Sequence, residues 1–196
     1  MTRLSRLKRD QLDPDQQRLF DQIAGGEKPG QRPRFPRLGT DGALEGPFNA
    51  MLYSARIGLA MQDLGGELRY RSTLPDRCRE IAILATAAAW DSAYERYAHE
   101  DIGRAVGLTD AELTAIGQGA EPGFTDPAER AVLAAARALA QRRDLDDAEY
   151  AAAVSVLGER TLFELIALVG YYAATALALR AFRVRPPNAD GSPSIP

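Results

Sequence analysis

The sequence holds one cysteine, Cys78, one histidine, His99, and one tryptophan, Trp90. A lone cysteine excludes an intramolecular disulfide and a cysteine-based metal site. A lone histidine cannot supply the usual two- or three-histidine zinc site. Neither sign of charge is in large excess. The net charge of −3 makes no general case for nucleic acid or acidic membranes. Met1 to Asp10 alternates charged and apolar residues and lacks the apolar run of a secretory signal. No segment reads as long enough to span a membrane. The longest apolar run, Leu162 to Leu179, is interrupted by Glu164 and Gly170, carries Tyr171 and Tyr172, and reads as a buried core helix. There is no phosphate-cradling glycine loop, no strand pattern and no repeat. The expectation from these absences is a cytoplasmic protein with no metal and no other cofactor, and with neither nucleic acid nor membrane as partner.

What is present is helical. The 196 residues fit one domain, and 45% of them are hydrophobic, enough for a core without disulfide or metal staples. A first helix starts at Asp13-Pro14 and stops at Gly25-Gly26. A loop with Pro29, Gly30, Pro33, Pro36, Gly39, Gly42 and Gly46 follows, too long for an ordinary connector. It either wraps over the core or covers a pocket. Pro47 opens a helical region with Phe48, Met51, Leu52, Ala55, Leu59 and Leu64 on one stripe. Thr73-Leu74-Pro75 opens the next, with Ile81, Leu84, Ala85 and Ala88 inward. A bend is expected near Trp90-Asp91, before a stretch carrying Tyr94, Ala98, Ile102 and Ala105 and ending at Gly107. Thr109 with Glu112, and Asp146 with Glu149, read as capping boxes. Between them Thr125-Asp126-Pro127 starts a helix with Ala131, Leu133, Ala134, Ala138 and Leu139 inward. The last helix runs from about Thr161 to Phe182, and the tail 186–196 has the composition of a disordered segment. The fold class is all-α. Residues 1–45 form an N-terminal helix and Pro/Gly/Arg-rich loop, and 46–185 the main helical domain. Residues 1–40 hold nine Lys/Arg against five Asp/Glu. That basic arm reads as a solvated tail sooner than as a nucleic-acid contact.

One constellation could carry chemistry. Glu95 lies four residues before His99 and Ser92 seven before it, so all three share a helix face. Glu80 stands on the preceding stretch, and a bend near Asp91 would let both carboxylates meet the imidazole. Histidine titrates near neutral pH, a neighbouring carboxylate fixes its tautomer, and a half-buried glutamate can act as an acid. Spacing alone favours an ordinary surface ion pair worth little. Ser92 lacks a nucleophile-elbow sequence and reads as a small polar pocket residue. Trp90, Tyr94 and Tyr53 either line a pocket or belong to the core.

Leu74-Pro75, Arg77, Glu80-Ile81-Ala82-Ile83-Leu84, Tyr94-Glu95, His99 and Ala105-x-Gly107-Leu108 resemble the carboxymuconolactone decarboxylase family, which includes the alkylhydroperoxidase D type proteins. Gly46-Pro47-Phe48, Gly170-Tyr171-Tyr172 and Ala181-Phe182-x-Val184 extend the resemblance over most of 46–185. It implies an all-α homo-oligomer, a trimer or hexamer, with pockets near subunit contacts. The family's peroxidases use two cysteines, helped by a glutamate upstream and a histidine downstream. Glu80 and His99 fall where those helpers fall, but Ser92 and Glu95 stand at the cysteine positions. Thiol peroxidase chemistry is therefore set aside. The decarboxylase branch carries Glu-x-x-x-His here, which Glu95 and His99 match. Its late glycine–proline segment is absent, and Gly170-Tyr171-Tyr172-Ala173 stands there instead. The resemblance implies a decarboxylase-like, cofactor-independent proton-transfer enzyme. Its substrate would be a small carboxylated lactone or other ring-containing metabolite, with His99, Glu95 and Glu80 as catalytic residues. Ser92, Arg77, Tyr94 and Trp90 would bind that substrate, Arg77 or Arg56 holding its carboxylate. The alternative is a non-catalytic helical oligomer that binds a ligand or a protein partner.

Overall fold

A computed structural model of the chain describes residues 2–25 and 37–187. Its helices are α1 (Pro14–Gly25), α2 (Pro47–Met51), α3 (Ala55–Tyr70), α4 (Asp76–Ala89), α5 (Ala93–Ala105), α6 (Asp110–Gln118), α7 (Pro127–Arg142) and α8 (Asp147–Ala181). Among the described residues there is no strand, only the isolated antiparallel bridges Lys8–Ala43 and Leu38–Leu44. The class is all-α, as the sequence implies.

The chain forms two compact units, Gly66–Leu177 and Met1–Gly65 with Ala178–Pro196. In the latter, Leu12, Leu19, Phe20 and Ile23 pack with Leu44, Met51 and Leu52. The N-terminal arm is not the solvated tail expected. Arg3 N–H donates to Phe182 O at 2.8 Å, and Leu7 N–H to Asn49 Oδ1 at 2.9 Å. Arg6 pairs with Asp41 and Glu45, and Arg9 with Asp21. Charges that looked surplus along the sequence find partners from other segments. Leu59 and Leu64 also depart from expectation, being exposed where the stripe put them inward. Gly58 is the contact instead: a Cβ there would stand 2.5 Å from Met51 O, so the backbone itself is the packing surface. The long loop is described only from residue 37. Residues 26–36, and 188–196 of the tail, lie outside the described residues.

In the other unit α4 is central. Every residue from Glu80 to Ala87 is buried, and α5, α6 and α7 pack around it. A helix buried on all sides must be apolar all round, which the run Ile81 to Ala85 satisfies. Two short side-chain devices set the flanking helices. Thr109 caps α6 in a box with Glu112. Asp146 and Glu149 exchange hydrogen bonds of 2.8 and 3.0 Å at the start of α8. On α7 the inward residues are Val132, Leu133, Ala135, Ala136 and Ala138, while Ala134 is exposed. In an alanine-rich window the phase of the stripe is not written in residue type. Helix α8 breaks at Gly158, whose φ of 76° and ψ of 161° belong to glycine. By length and composition alone α8 could cross a membrane, which corrects the expectation that no segment has that length. The helix runs on through Glu164 and Gly170, where the sequence reading had cut the run. Half of its most apolar stretch is buried in the protein. Leu162, Leu165 and Leu168 point inward, and Phe163 and Leu177 outward.

Candidate functional site

The turn between α4 and α5 builds the site. Trp90 ends α4, Asp91 takes a left-handed φ of 49°, and Ser92 N–H donates to Ala87 O at 2.8 Å. Aspartate tolerates that conformation better than most side chains. The bend expected at Trp90-Asp91 is thus a tight reversal. Helix α5 then lies close on its neighbours at Gly103, where a Cβ would meet Leu108 Cδ1 at 3.0 Å and Leu84 Cδ1 at 3.4 Å. One helical turn before Gly103, on the same face, is His99.

His99 Nδ1 stands 2.7 Å from Glu80 Oε2, with 12% and 4% of the two side chains exposed. With a carboxylate oxygen as the acceptor, Nδ1–H donates and Nε2 is left for other work. Arg79 Nε lies 3.9 Å from the other oxygen of Glu80. The Tyr172 ring meets the imidazole edge-on, with centroids 5.1 Å apart, and Tyr171 packs edge-on against Tyr172 at 5.2 Å. Burial holds the Tyr172 phenol well above its ordinary range, with Arg69 opposing and the Glu80 charge adding to the shift. Arg69 thus belongs to this cluster, reaching it from the end of α3.

Glu95 is buried one turn before His99 on α5 but does not pair with it. Neither Glu95 oxygen has a hydrogen-bond partner among the described residues. Burial pushes the carboxyl up to about 8, against an opposing effect of the nearby Ser92 hydroxyl, which stops short of a formed hydrogen bond. The carboxyl is therefore mostly uncharged at neutral pH. The expectation that both carboxylates meet the imidazole is corrected: Glu80, from the neighbouring helix, is the one bonded to it. On one helix, side chains at this spacing can run side by side, and the shorter route from Nδ1 leads to α4.

Arg77 is also corrected. Its guanidinium binds Glu129 and Glu112 at 2.6 Å each and donates to Gly107 O, tying α4 to α6 and α7. Each of its three guanidinium nitrogens is engaged within the protein. Arg56 is exposed. Tyr94 is buried and packs edge-on against Tyr97 at 6.4 Å. Trp90 is half-buried, its indole N–H without a partner among the described residues. Tyr53 is exposed, its hydroxyl donating to Ser5 O. Cys78 is buried, and desolvation, with Glu129 and Asp126 adding, pushes its thiol up to about 11. Among the described residues no three His, Cys, Asp or Glu side chains gather as a metal site. Sequence reasoning missed Arg69 and the role of Tyr172. The one signal for them was a Tyr171-Tyr172 pair inside an otherwise aliphatic helix.

The Carboxymuconolactone decarboxylase family matches residues 56–138. No curated protein sequence matches the chain. Among solved structures, an uncharacterized peroxidase-related protein from Ralstonia eutropha with an alkylhydroperoxidase AhpD core aligns with a TM-score of 0.71 and 14% identity, covering 94% of this chain and 92% of that one. A peroxidase-related protein from Silicibacter gives 0.70 and 15%, covering 94% and 91%. The debrominase Bmp8, as a variant in complex with 2,3,4-tribromopyrrole, gives 0.68 and 18%, also covering 94% and 91%. At these identities the likeness is one of fold. The family match over residues 56–138 and the alkylhydroperoxidase D-like architecture point the same way, and a chain with Cys78 as its single cysteine lacks the thiol pair of the family's peroxidases.

Proposed function

We propose that the protein is a cofactor-independent, decarboxylase-like enzyme that moves a proton at carbon in a small carboxylated lactone or related ring compound. The observation that carries this reading is the 2.7 Å Glu80–His99 pair with an uncharged, unpartnered Glu95 one turn away. Perturbed, unsatisfied titratable groups gathered in one place are what acid–base chemistry requires.

In the proposed reaction the bond from ring carbon to carboxylate carbon breaks and CO₂ departs. The electron pair enters the conjugated lactone carbonyl as a dienolate. His99 Nε2–H delivers a proton to carbon, while the Glu80 carboxylate stabilises the imidazolium that precedes this step. A proton from water restores it. Glu95–OH offers a hydrogen bond to the dienolate oxygen as its charge develops. Peroxide reduction by Cys78 is disfavoured, because a buried thiol raised to about 11 supplies almost no thiolate at neutral pH. A trimeric or hexameric assembly and a cytoplasmic location belong to the same proposal. The rival reading is a non-catalytic oligomer.

The test is a panel of carboxylated lactones and related acids, followed by ultraviolet absorbance and CO₂ release, with a peroxide assay beside it. Turnover that falls in His99→Ala and Glu80→Gln supports the reading. Turnover unchanged in both, or peroxide reduction that depends on Cys78, sinks it.

A further inference from the structure

Arg69 has aromatic neighbours but no counter-ion among the described residues, whereas Arg130, also without a carboxylate partner there, donates to the Phe124 and Thr125 carbonyls. Arg71, Arg77, Arg79, Arg96, Arg104, Arg137, Arg142 and Arg160 each have a carboxylate within ion-pair distance. Arg69 has none among the described residues, although it is only partly exposed. What surrounds it is aromatic. Its guanidinium lies 5.7 Å from the Tyr70 ring centroid, and it reaches toward the Tyr171 and Tyr172 hydroxyls. The contact with Tyr172 stops short of a formed hydrogen bond, so the phenol oxygen, on a residue 3% exposed, is buried without a partner. A desolvated guanidinium and an orphaned phenol side by side are both costly. One carboxylate placed between them would accept from both. Through Tyr172 this position is continuous with the imidazole, 5.1 Å away ring to ring.

We propose, resting on the acid–base reading above, that Arg69 together with the Tyr172 hydroxyl is the receptor for a carboxylate on a small planar substrate, and that it holds this anion beside the Glu80–His99 pair. A guanidinium binds a carboxylate through two parallel N–H donors, so it fixes direction as well as charge. An uncharged analogue lacks the charge with which the guanidinium pairs. Arg77, the other arginine considered for the role, already has each guanidinium nitrogen bonded within the protein.

The experiment is equilibrium binding of 2-furoate and of its uncharged counterpart 2-furamide to the full chain, by calorimetry at neutral pH. Four proteins are compared: wild type, Arg69→Gln, Arg69→Lys and, as a surface control, Arg56→Gln. The expected result is that wild type binds the acid in preference to the amide. Arg69→Gln loses about tenfold to a hundredfold for the acid only, the range for a charged hydrogen bond. Arg69→Lys keeps part of the affinity, Arg56→Gln keeps all of it, and furoate perturbs the near-ultraviolet tyrosine circular dichroism in wild type. Acid affinity unchanged in Arg69→Gln, equal binding of acid and amide, or no binding of furoate by wild type overturns the proposal. Should Arg69→Gln fail to fold, Tyr172→Phe becomes the decisive variant, and it must weaken furoate and spare furamide. Turnover enters none of these readouts. An inactive lactone panel with intact Arg69-dependent binding would remove the enzymatic reading and leave the receptor.

Discussion

Two polar clusters share helix α4, and they are built in opposite ways. Around Arg77 each guanidinium nitrogen has an acceptor: Glu112, Glu129 and the Gly107 carbonyl form a network joining three helices. Around Glu80 the network is left open. Among the described residues, His99 has one hydrogen-bond partner, Glu95 has neither oxygen bonded, the Tyr172 hydroxyl is orphaned and Arg69 has no counter-ion. A satisfied buried network stiffens a fold, whereas an unsatisfied one costs stability and is kept where something else is meant to complete it. The first cluster is therefore read as structural and the second as the working site.

The largest expected effect separates the two by activity. Glu80→Gln or His99→Ala should lower the rate of CO₂ release about a hundredfold to ten-thousandfold, the range for a positioned acid or base. Arg77→Met should change it by less than about tenfold. Equal losses in all three, measured as initial rates, would erase the distinction.

Glu95 gives the next largest effect, in stability. Its carboxyl is raised by burial to about 8 from 4.5, so the folded state holds a proton that the unfolded chain releases. The contribution to stability is whole below pH 4.5, declines as pH rises from there toward 8, and is fully lost above. At about 1.4 kcal/mol per pH unit the decline approaches about 5 kcal/mol. Urea unfolding from pH 4 to 9 should show it in wild type and not in Glu95→Gln. Parallel profiles would place Glu95 outside the buried, uncharged state.

Arg77→Met comes third. Removing one member of a largely buried network strands Glu112 and Glu129, whose side chains are 17% and 12% exposed, and should cost about 2–4 kcal/mol in the urea midpoint. The smallest effect belongs to Cys78→Ala, at about 1 kcal/mol of stability with turnover within about twofold. A large loss of turnover there would return the thiol to the chemistry.

Much of the fold was legible because its signals are local. The Thr109/Glu112 and Asp146/Glu149 boxes, Pro127 at the start of α7 and the break at Trp90-Asp91 each lie within a few residues. The site was legible only in its membership. That His99 and two glutamates would be neighbours follows from helix spacing and one bend. That Glu80 and not Glu95 holds the imidazole is decided by the packing of α5 on α4. Arg77 is separated from Glu112 and Glu129 by 35 and 52 residues, and nothing in a local window joins them. Arg69 and Tyr172 lie at opposite ends of the unit's sequence, and Tyr172 reads as one more buried aromatic. Exposed Leu59 and Leu64 show the same limit from the other side, because periodicity names a face without saying what covers it.

The single imidazole allows the central claim to be read directly. In protein labelled with ¹⁵N-histidine, His99 supplies the only imidazole signals, and its tautomer is visible without assignment. The account predicts a fixed Nδ1–H tautomer in wild type, bound to the Glu80 carboxylate, that gives way to free-histidine averaging in Glu80→Gln. A proton found on Nε2 instead, or averaging already present in wild type, would contradict it.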